Sequence, residues 1–366
     1  MPGGQYGRWA VLAATVVLTG TLAVPGAAAA TADTEAESAA AEAIVTIVDL
    51  GTLGGPSSSP VAINAAGQIA GSSDTAGGEV HAFVWTASVG MTDLGTLGGT
   101  YSRPSAINDQ GQITGTAATA DGTNHAFLWT PSDGMQDLGT LPGGTNSNAV
   151  AINNGGRITG TSDTPGESPP PRHAFRWTAT DGMQDLGVPP GMFGSMAVGI
   201  NPRGQVTGNG NESPRGGARH AFRWTASEGM QNLDNLAGTF ATFAAAINVQ
   251  GQVAGTLFSF NAPGPHAFRW TESGGIEDLG TLGGTSSRAV AINAPGQVTG
   301  DAGTADGAGH AFRWTESSGM QDLGTLPGGA HSSTTAINDA GQIVGEAETA
   351  DGAGHAVLWT PQPPTD

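Results

Sequence analysis

The feature that most constrains the fold of this chain is a unit of about 45 residues that occurs seven times. With few departures, each copy contains an Ala-Ile-Asn step, a Gly-Gln-(Ile/Val) step, a His-Ala-Phe-x-Trp-Thr step and a Gly-Met-x-Asp-Leu-Gly step. Repeats with a fixed period between about 20 and 50 residues are typical of propellers, solenoids and other arrays. Since the repeats extend from Ile44 to Thr360, we predict a single repeat domain over that range.

Within each unit, apolar residues alternate with a period of two over short runs, which is the periodicity of β-strands. In the third unit the pattern predicts strands at Asn148 to Asn153, Gly156 to Thr161, His173 to Thr178 and Met183 to Leu186. Four antiparallel strands in about 45 residues form one propeller blade. A β-helix is disfavoured, because its coils use far fewer residues and lack two tight hairpins. We therefore predict an all-β fold, a seven-bladed β-propeller with four antiparallel strands per blade.

The two ends of the repeat region complement each other. The last unit stops at Trp359 and Thr360, before its fourth strand, whereas Ile44 to Leu50 resembles a fourth strand with no unit before it. A sheet edge left unpaired is a template for aggregation. We therefore expect the N-terminal strand to pair with the strand of His355 to Trp359 and close the last blade.

The charge of the chain excludes some classes of partner. Acidic residues number 31 and arginines 12, there is no lysine, and the net charge is −19. Nucleic acids require clustered Lys and Arg, and anionic membrane surfaces also attract basic segments, so both are disfavoured. Because cysteine is absent, the sequence provides neither disulfides nor thiolate metal sites. We expect a monomer without a bound cofactor.

Residues 1–30 have the pattern of a secretory signal peptide. Arg8 precedes an apolar stretch, which ends at Pro25 and is followed by the small-residue run Ala27 to Ala30. The stretch is short for a membrane span, so we predict cleavage, secretion and no membrane insertion afterwards. Residues 31–43 then form a flexible acidic tail, and residues 361–366 a disordered C-terminus.

The His-Ala-Phe tripeptide, the Ala-Ile-Asn and Gly-Gln-(Ile/Val) pairs and the Asp-Leu-Gly-Thr-Leu-Gly-Gly run together resemble the bacterial extracellular HAF-repeat family. The resemblance covers Ile44 to Thr360 and implies export and a repeat fold, with no catalytic residues to carry over. The chain departs from its own pattern at three places. Asn232-Leu233-Asp234 stands where Asp-Leu-Gly is expected, Val188-Pro189-Pro190 where Thr-Leu-Gly-Gly is expected, and His355-Ala356-Val357 has valine in place of phenylalanine.

We interpret the motif histidines and tryptophans as structural. Histidine, phenylalanine and tryptophan of one His-Ala-Phe-x-Trp step lie on one face of a strand, where they can form a layer between blades. Equivalent histidines of different blades diverge, so they cannot share a metal, and we predict no metal site. The residues are His81, His125, His173, His220, His266, His310 and His355, with Trp85, Trp129, Trp177, Trp224, Trp270, Trp314 and Trp359.

Two further motifs are interpreted as turn formers. The asparagine of each Ala-Ile-Asn step precedes a tight turn, where asparagine hydrogen-bonds its own backbone and tolerates left-handed geometry. The Thr-Ala-Asp-Gly stretches ending at Gly122, Gly307 and Gly352 are explained by an Asp-Gly turn, with calcium as the alternative.

The units differ most in their long links, which emerge at one end of the blades, and scaffolds usually carry binding residues on such loops. In units three to five, Val188 to Met196 and Asn235 to Phe243 replace the usual Thr-Leu-Gly-Gly linker. The links between strands two and three in these units are Gly166 to Arg172, Asn209 to Arg219 and Thr256 to Pro265, so we expect the phenylalanines of this sector to lie in loops. Exposed aromatic residues flanked by arginine are typical of binding surfaces, although these rings can also fold inward as a satellite core. The candidate ligand-binding residues are Phe193, Phe240, Phe243, Phe258, Phe260, Arg172, Arg215 and Arg219.

The sequence contains no nucleophile elbow, no His-Glu-x-x-His motif and no phosphate-binding loop. We therefore expect a secreted, non-catalytic binding module, with an extracellular polysaccharide or another extracellular protein as its ligand. The alternative is a propeller hydrolase or lyase acting on extracellular glycans at the channel mouth. That alternative requires convergent Asp, Glu or His side chains with perturbed pKa values among the long loops.

Overall fold

The computed structural model describes residues 48–166, 170–214, 217–234 and 236–361, and these residues form an all-β structure without helices. None of the described residues therefore belongs to a helix that is long and apolar enough to cross a membrane. The predicted signal peptide (1–30), the acidic tail (31–43) and nearly all of the predicted C-terminal segment (361–366) lie outside the described residues.

Six repeat units each contain four strands, and the seventh contains three. Units one and two comprise β1 (Gly54–Ile63), β2 (Ile69–Thr75), β3 (Val80–Thr86), β4 (Gly90–Asp93), β5 (Gly98–Ile107), β6 (Ile113–Thr119), β7 (Asn124–Thr130) and β8 (Gly134–Asp137). Units three and four comprise β9 (Ser147–Ile152), β10 (Ile158–Asp163), β11 (Arg172–Thr178), β12 (Gly182–Asp185), β13 (Gly194–Ile200), β14 (Val206–Asn211), β15 (Arg219–Thr225) and β16 (Gly229–Asn232). Units five to seven comprise β17 (Thr239–Ile247), β18 (Val253–Ser259), β19 (His266–Thr271), β20 (Gly275–Asp278), β21 (Gly283–Ile292), β22 (Val298–Thr304), β23 (Gly309–Thr315), β24 (Gly319–Asp322), β25 (Ser332–Ile337), β26 (Ile343–Glu348) and β27 (Gly354–Trp359).

Within each unit the strands pair antiparallel in sequence order, which confirms the predicted sheets of four strands. The strands predicted for the third unit agree with β9 to β12 to within two residues. The first strands of consecutive units lie against one another, and the fourth strands lie on the outside. The small residues of the first strands suit this crowded inner position.

The hydrophobic core lies between consecutive sheets. The phenylalanine of each complete His-Ala-Phe step has no solvent exposure, and between units five and six Ala254 and Leu279 of one sheet pack with Ile292 and Phe312 of the next. A glycine in the second strand provides room for each ring: a Cβ on Gly160 would lie 2.8 Å from a ring carbon of Phe175. Real Cβ atoms do not approach so closely, so this glycine is required by packing.

The asparagines of the Ala-Ile-Asn steps link neighbouring units. In the second unit, the Oδ1 atom of Asn108 accepts the backbone N–H of Gln112 at 2.9 Å, and the Nδ2 atom donates to the carbonyl of Asn153 in the next unit at 3.1 Å. Equivalent bonds connect each of the first six units to its successor. The predicted turn role of these asparagines is therefore confirmed. The left-handed position of the turn is, however, occupied by a glycine, such as Gly111, and no described residue other than glycine has a positive φ.

Closure of the last unit stays a prediction. Residues 44–47 lie outside the described residues, residues 48–50 form no strand, and β27 is the last strand of a three-stranded sheet. Within the described residues, Val344 and Leu358 on the sheet face of unit seven are exposed, and so is Ile63 on the sheet face of unit one. Their counterparts in the interior units, such as Thr299, Leu128 and Ile292, are buried.

Candidate binding surface

A histidine–aspartate pair occupies the long-link end of each of the first six units. His81 Nδ1, in β3, donates to the carboxylate of Asp93, at the end of β4, at 2.8 Å. The same carboxylate accepts the backbone N–H of Gly95 at 2.8 Å and so shapes the link to the next unit. The other pairs are His125–Asp137, His173–Asp185, His220–Asp234, His266–Asp278 and His310–Asp322.

The motif residues differ in how deeply they are buried. The phenylalanines are fully buried, and Trp177, Trp224, Trp270 and Trp314 are buried as well. The paired histidines are only half-buried, because their rings reach the rim of the sheet to meet the aspartates, and His355 is exposed because no fourth strand follows it in the described structure.

The departure at Asn232-Leu233-Asp234 moves the acidic partner by two residues. Asn232 Oδ1 accepts the backbone N–H of Asp234 at 2.9 Å and thereby takes over the turn-forming role of the usual aspartate. The carboxylate of Asp234 then contacts His220 Nδ1 and the hydroxyl of Thr242. Glu212 contacts the other ring nitrogen, Nε2, at 3.2 Å. His220 therefore has a carboxylate on both sides.

This arrangement sets the charge of His220. Partial burial lowers the pKa of the imidazole, but the hydrogen bonds to Asp234 and Glu212 outweigh it and raise the pKa above the ordinary value of 6.5. In unit three, burial raises the pKa of Asp185, but the hydrogen bond from His173 and the backbone N–H of Gly187 lower it overall. Both shifts stabilise the charged form of the pair.

Four of the candidate phenylalanines form one cluster beside His220. The ring centroids of Phe240 and Phe260 are 4.6 Å apart, those of Phe240 and Phe258 are 6.2 Å apart, and Phe243 meets Phe258 edge-on at 5.6 Å. Phe260 is 81% exposed and Phe240 is 42% exposed, whereas Phe243 and Phe258 are half-buried beneath them. The guanidinium of Arg219 lies 5.8 Å from the ring centre of Phe243. We call Phe240, Phe243, Phe258, Phe260 and Arg219 the aromatic surface.

Two strands and one loop hold this surface in place. Phe240 and Phe243 belong to β17 and Phe258 to β18, so the prediction that all these rings lie in loops was wrong. The reason is long-range pairing: Thr239 pairs with Ser259, much as Gly54 pairs with Thr75 in unit one, so both strands include residues that the sequence assigned to links. A β-bulge between Thr239 and Ala241 places Phe240 at the extra position, and bulges redirect side chains in this way.

The backbone also fixes the loop that carries Phe260. The N–H of Phe260 donates to the carbonyl of Gly238 at 3.0 Å, and Asn261 Nδ2 donates to the carbonyl of Ala237 at 3.2 Å. The exposed ring is therefore presented from a loop that is tied to the link before β17. Such preorganisation reduces the entropy lost when a ligand binds.

Of the other candidate residues, Phe193 and Arg172 lie elsewhere at the same end of the sheets. Phe193 is half-buried just before β13, and among the described residues its ring contacts none of the four clustered phenylalanines. Arg172 is exposed at the start of β11 and forms an ion pair with Asp163 at 3.2 Å. Arg215 lies outside the described residues. The aromatic surface is thus smaller than the predicted site.

The aspartates of the Thr-Ala-Asp-Gly stretches close their own turns. Asp121 Oδ1 accepts the backbone N–H of Thr123 at 3.2 Å and the hydroxyl of Thr119. The hydrogen bonds from these threonines lower the pKa of Asp121 to about 2. Within the described ranges, no group of three or more His, Asp or Glu side chains is arranged to hold a metal ion.

The fold and this surface define the chain as an all-β repeat protein with a propeller-like architecture. It is similar to the structure of a puromycin hydrolase mutant complexed with PGG, with a TM-score of 0.52 and 14% identity over 86% of this chain and 54% of that chain. It is also similar to a prolyl endopeptidase, with a TM-score of 0.51 and 12% identity over 84% of this chain and 50% of that chain. The chain therefore spans about half the length of these two enzymes.

A lectin from Burkholderia pseudomallei is more distant, with a TM-score of 0.44 and 12% identity over 80% of this chain and 92% of that chain. At these identities the likeness to the two enzymes shows a shared fold alone. No protein-family model matches the chain, and no curated protein matches it.

Proposed function

We propose that the protein is a non-catalytic binding module whose ligand packs on the aromatic surface. The observation that carries the proposal is the exposed pair of Phe240 and Phe260, which is held by strand pairing and by the bonds of the 259–261 loop. Covering one phenylalanine side chain contributes about 1.5–3 kcal/mol. A ligand that covers the two exposed rings would therefore gain this burial energy, because the rings remain in contact with solvent in the free protein.

The chemistry of the surface suits two ligand classes. A sugar ring can stack its apolar face on Phe260, and an apolar side chain of an extracellular protein can cover both rings. Arg219 adds a positive charge at the edge in a chain with a net charge of −19. Interface hot spots commonly combine aromatic rings with arginine.

A screen of the repeat domain against glycan arrays and against extracellular proteins from the same source tests the proposal. The variant Phe240→Ser/Phe260→Ser should lose the ligand that the unchanged domain captures. Val89→Ser is the matched control, because Val89 is 76% exposed in a tight turn at the opposite end of its sheet. Equal capture by the double variant would contradict the proposal.

We further propose that the protein acts outside the cell as a member of the HAF-repeat family. Support for export comes from residues 1–30, and support for the family comes from the repeated motifs. Detection of the protein in the culture medium, with an N-terminus at or after Ala27, tests export.

We also infer that seven blades close into a ring. Asp49-Leu50-Gly51 repeats the Asp-Leu-Gly step that ends the fourth strand in other units. The Oδ1 atom of Asp49 accepts the N–H of Gly51 at 2.9 Å, and the hydroxyl of Ser58 donates to the carbonyl of Gly51 at 2.7 Å. Asp93, Gly95 and Ser102 form the same motif between units one and two, where it meets His81 and Ala82.

By this correspondence the partners of Asp49 and Ser58 in the closed ring are His355 and the backbone N–H of Ala356. Closure also brings the open faces of units seven and one together, so that Leu358 covers Trp85 as Leu128 packs with Trp177. The amide of Asn338 then donates to the carbonyl of Asn64 and completes the series of asparagine bonds. The resulting molecule has no open sheet edge at its last blade.

A hydrolase or lyase is the second candidate, and one observation favours it. Glu212 and Asp234 meet the imidazole of His220 at the long-link end, and paired carboxylates are the catalytic groups of many glycosidases. Both carboxylates are engaged by the imidazole, which favours a structural role. Assays with extracellular glycans decide between the roles: a glycan cleaved by the unchanged domain and not by Glu212→Gln would establish catalysis.

A further inference from the structure

A cleft of about 580 Å³ opens at the tight-turn end of the third unit, opposite to the aromatic surface. It is lined by residues 112, 128, 154–157 and 176–181. Two of these residues, Arg157 and Arg176, are cationic, and one, Asp181, is acidic. The cleft is therefore locally positive in a strongly acidic chain.

Arg176 occupies a position at which other units neutralise the arginine. Arg223 in unit four forms ion pairs with Glu228 at 3.3 Å and Glu272 at 3.4 Å. Arg269 in unit five forms ion pairs with Glu277 at 3.0 Å and Glu316 at 3.4 Å. These arginines also stack on the tryptophan of the next unit.

Arg176 keeps the stacking but lacks these carboxylates. Its guanidinium lies 4.8 Å from the ring centre of Trp224, and its Nη2 atom donates to the neutral Oε1 atom of Gln184 at 3.0 Å. Ala226 stands where Glu272 and Glu316 stand in the following units. The charge of Arg176 is thus left without the ion pairs that Arg223 and Arg269 have, and the shorter Asp181 stands where Glu228 stands in unit four.

Arg157 adds a second positive charge at the same place. The other six units have glutamine at this step, namely Gln68, Gln112, Gln205, Gln252, Gln297 and Gln342. In all six of these units the glutamine has the same role, which unit four illustrates: Gln205 Oε1 accepts the amide of Asn201 at 2.7 Å. Arg157 cannot accept that bond, and it places a guanidinium beside Arg176. Burial, and then the charge of Arg157, lower the pKa of Arg176, while the charge of Asp181 opposes them without reversing the direction.

We propose that this cleft binds a carboxylate-bearing sugar, with Arg157 and Arg176 holding the carboxylate. Guanidinium groups match the geometry of a carboxylate and form its stronger hydrogen bonds. Around the two arginines, the hydroxyl of Thr180 and the carboxylate of Asp181, which also accepts the hydroxyl of Thr178 at 3.0 Å, can bond hydroxyl groups of a sugar, whereas the amide of Asn154 is bonded to Asp109. The acidic residues farther away are screened within about 10 Å at ordinary ionic strength, so the local charges dominate.

Calorimetric titration of the repeat domain tests the proposal with three probes: oligosaccharides of galacturonate and glucuronate, neutral oligosaccharides of the same length, and a glutamate tripeptide. We expect binding of a uronate oligosaccharide, weaker binding at higher salt, and no binding of its neutral counterpart. Arg157→Gln restores the residue of the other units and should weaken binding about tenfold or more. Arg176→Leu, which copies Leu128, should have a similar effect.

Arg103→Gln is the control, because Arg103 is exposed on the first strand of unit two and does not line the cleft. Unchanged uronate affinity in Arg157→Gln, equal affinity for the neutral oligosaccharide, or no uronate binding at millimolar concentrations would each overturn the proposal. Tighter binding of the glutamate tripeptide would overturn the choice of a sugar. The Phe240→Ser/Phe260→Ser variant should bind uronate normally, so this site and the aromatic surface succeed or fail separately.

Discussion

The amide of Asn201 donates to the backbone carbonyl of Asn248, 47 residues further along the chain, at 2.9 Å. Its Oδ1 atom accepts the N–H of Gln205 at 3.0 Å, so one buried side chain both forms its own turn and fastens the next unit. The same pair of roles recurs in the first six units. Asparagine is therefore needed at this position for its donor as well as for its acceptor.

Replacing Asn201 tests this double role. Asn201→Ala leaves the carbonyl of Asn248 without its donor and should lower the free energy of unfolding by about 1–3 kcal/mol. Asn201→Asp keeps the acceptor for Gln205 and loses the donor, so it should also destabilise. Denaturant unfolding measures both changes. Gln250→Ala, at an exposed position in the corresponding turn of unit five, should change stability by less than about 0.5 kcal/mol, and a similar loss at both positions would contradict the role.

The raised pKa of His220 predicts a specific dependence of stability on pH. A raised folded-state pKa contributes stability that is fully present below the unfolded-state pKa, near 6.5, and is lost as pH rises through the folded-state value. The stability difference between the unchanged protein and His220→Gln should therefore shrink as pH increases above about 6.5. Unfolding curves at several pH values measure it. A difference that grows with pH would contradict the assignment.

The pair of His173 and Asp185 predicts a loss of stability at the acidic end. Because the pKa of Asp185 is lowered, its contribution is present above the ordinary value of 3.8 and is lost as pH falls through the folded-state value. Asp185→Asn should remove this contribution, so the unchanged protein and the variant should converge in stability under strongly acidic conditions. Divergence on acidification would show that the carboxylate is not stabilised by its partners.

Ring closure can be measured at a single amide. The N–H of Ala311 donates to Ser332 Oγ at 2.9 Å, and closure predicts the equivalent bond from Ala356 to Ser58. Hydrogen exchange should then be slow at Ala356, as at Ala311, and Ser58→Ala or deletion of residues up to Leu50 should accelerate it. Rapid exchange at Ala356 in the unchanged protein would show an open ring.

Local periodicity predicts the strands of this chain well, because each unit carries its own alternating pattern and tight turns. The bonds between units are harder to predict, since the link from Asn201 to Asn248 depends on how two sheets stack. The position of Phe240 depends on a bulge and on the pairing of Thr239 with Ser259, which no local pattern contains. The four clustered phenylalanines were all among the candidates, but Phe240, Phe243 and Phe258 lie in strands and not in loops, and Phe193 lies apart from them.

Residues that depart from the consensus of the repeat indicate where one unit differs in its contacts from the others. The change at Asn232 and Asp234 moves the acidic partner of His220, but the second carboxylate, Glu212, comes from another loop, and His81 has a similar second partner in Glu79 without any such change. The replacement of glutamine by Arg157 could also have been found by aligning the units. Only the structure, however, reveals that Arg157 and Arg176 line the same cleft.

The central claim, that the aromatic surface binds the ligand, is tested most directly by measuring the dissociation constant and the melting temperature of the same variants. For a ligand found by screening, Phe240→Ser/Phe260→Ser should raise the dissociation constant at least tenfold and leave the melting temperature nearly unchanged, because both rings are solvent-exposed. The Val89→Ser control should change neither quantity. An unchanged dissociation constant together with a large fall in melting temperature would show that these rings serve packing and not binding.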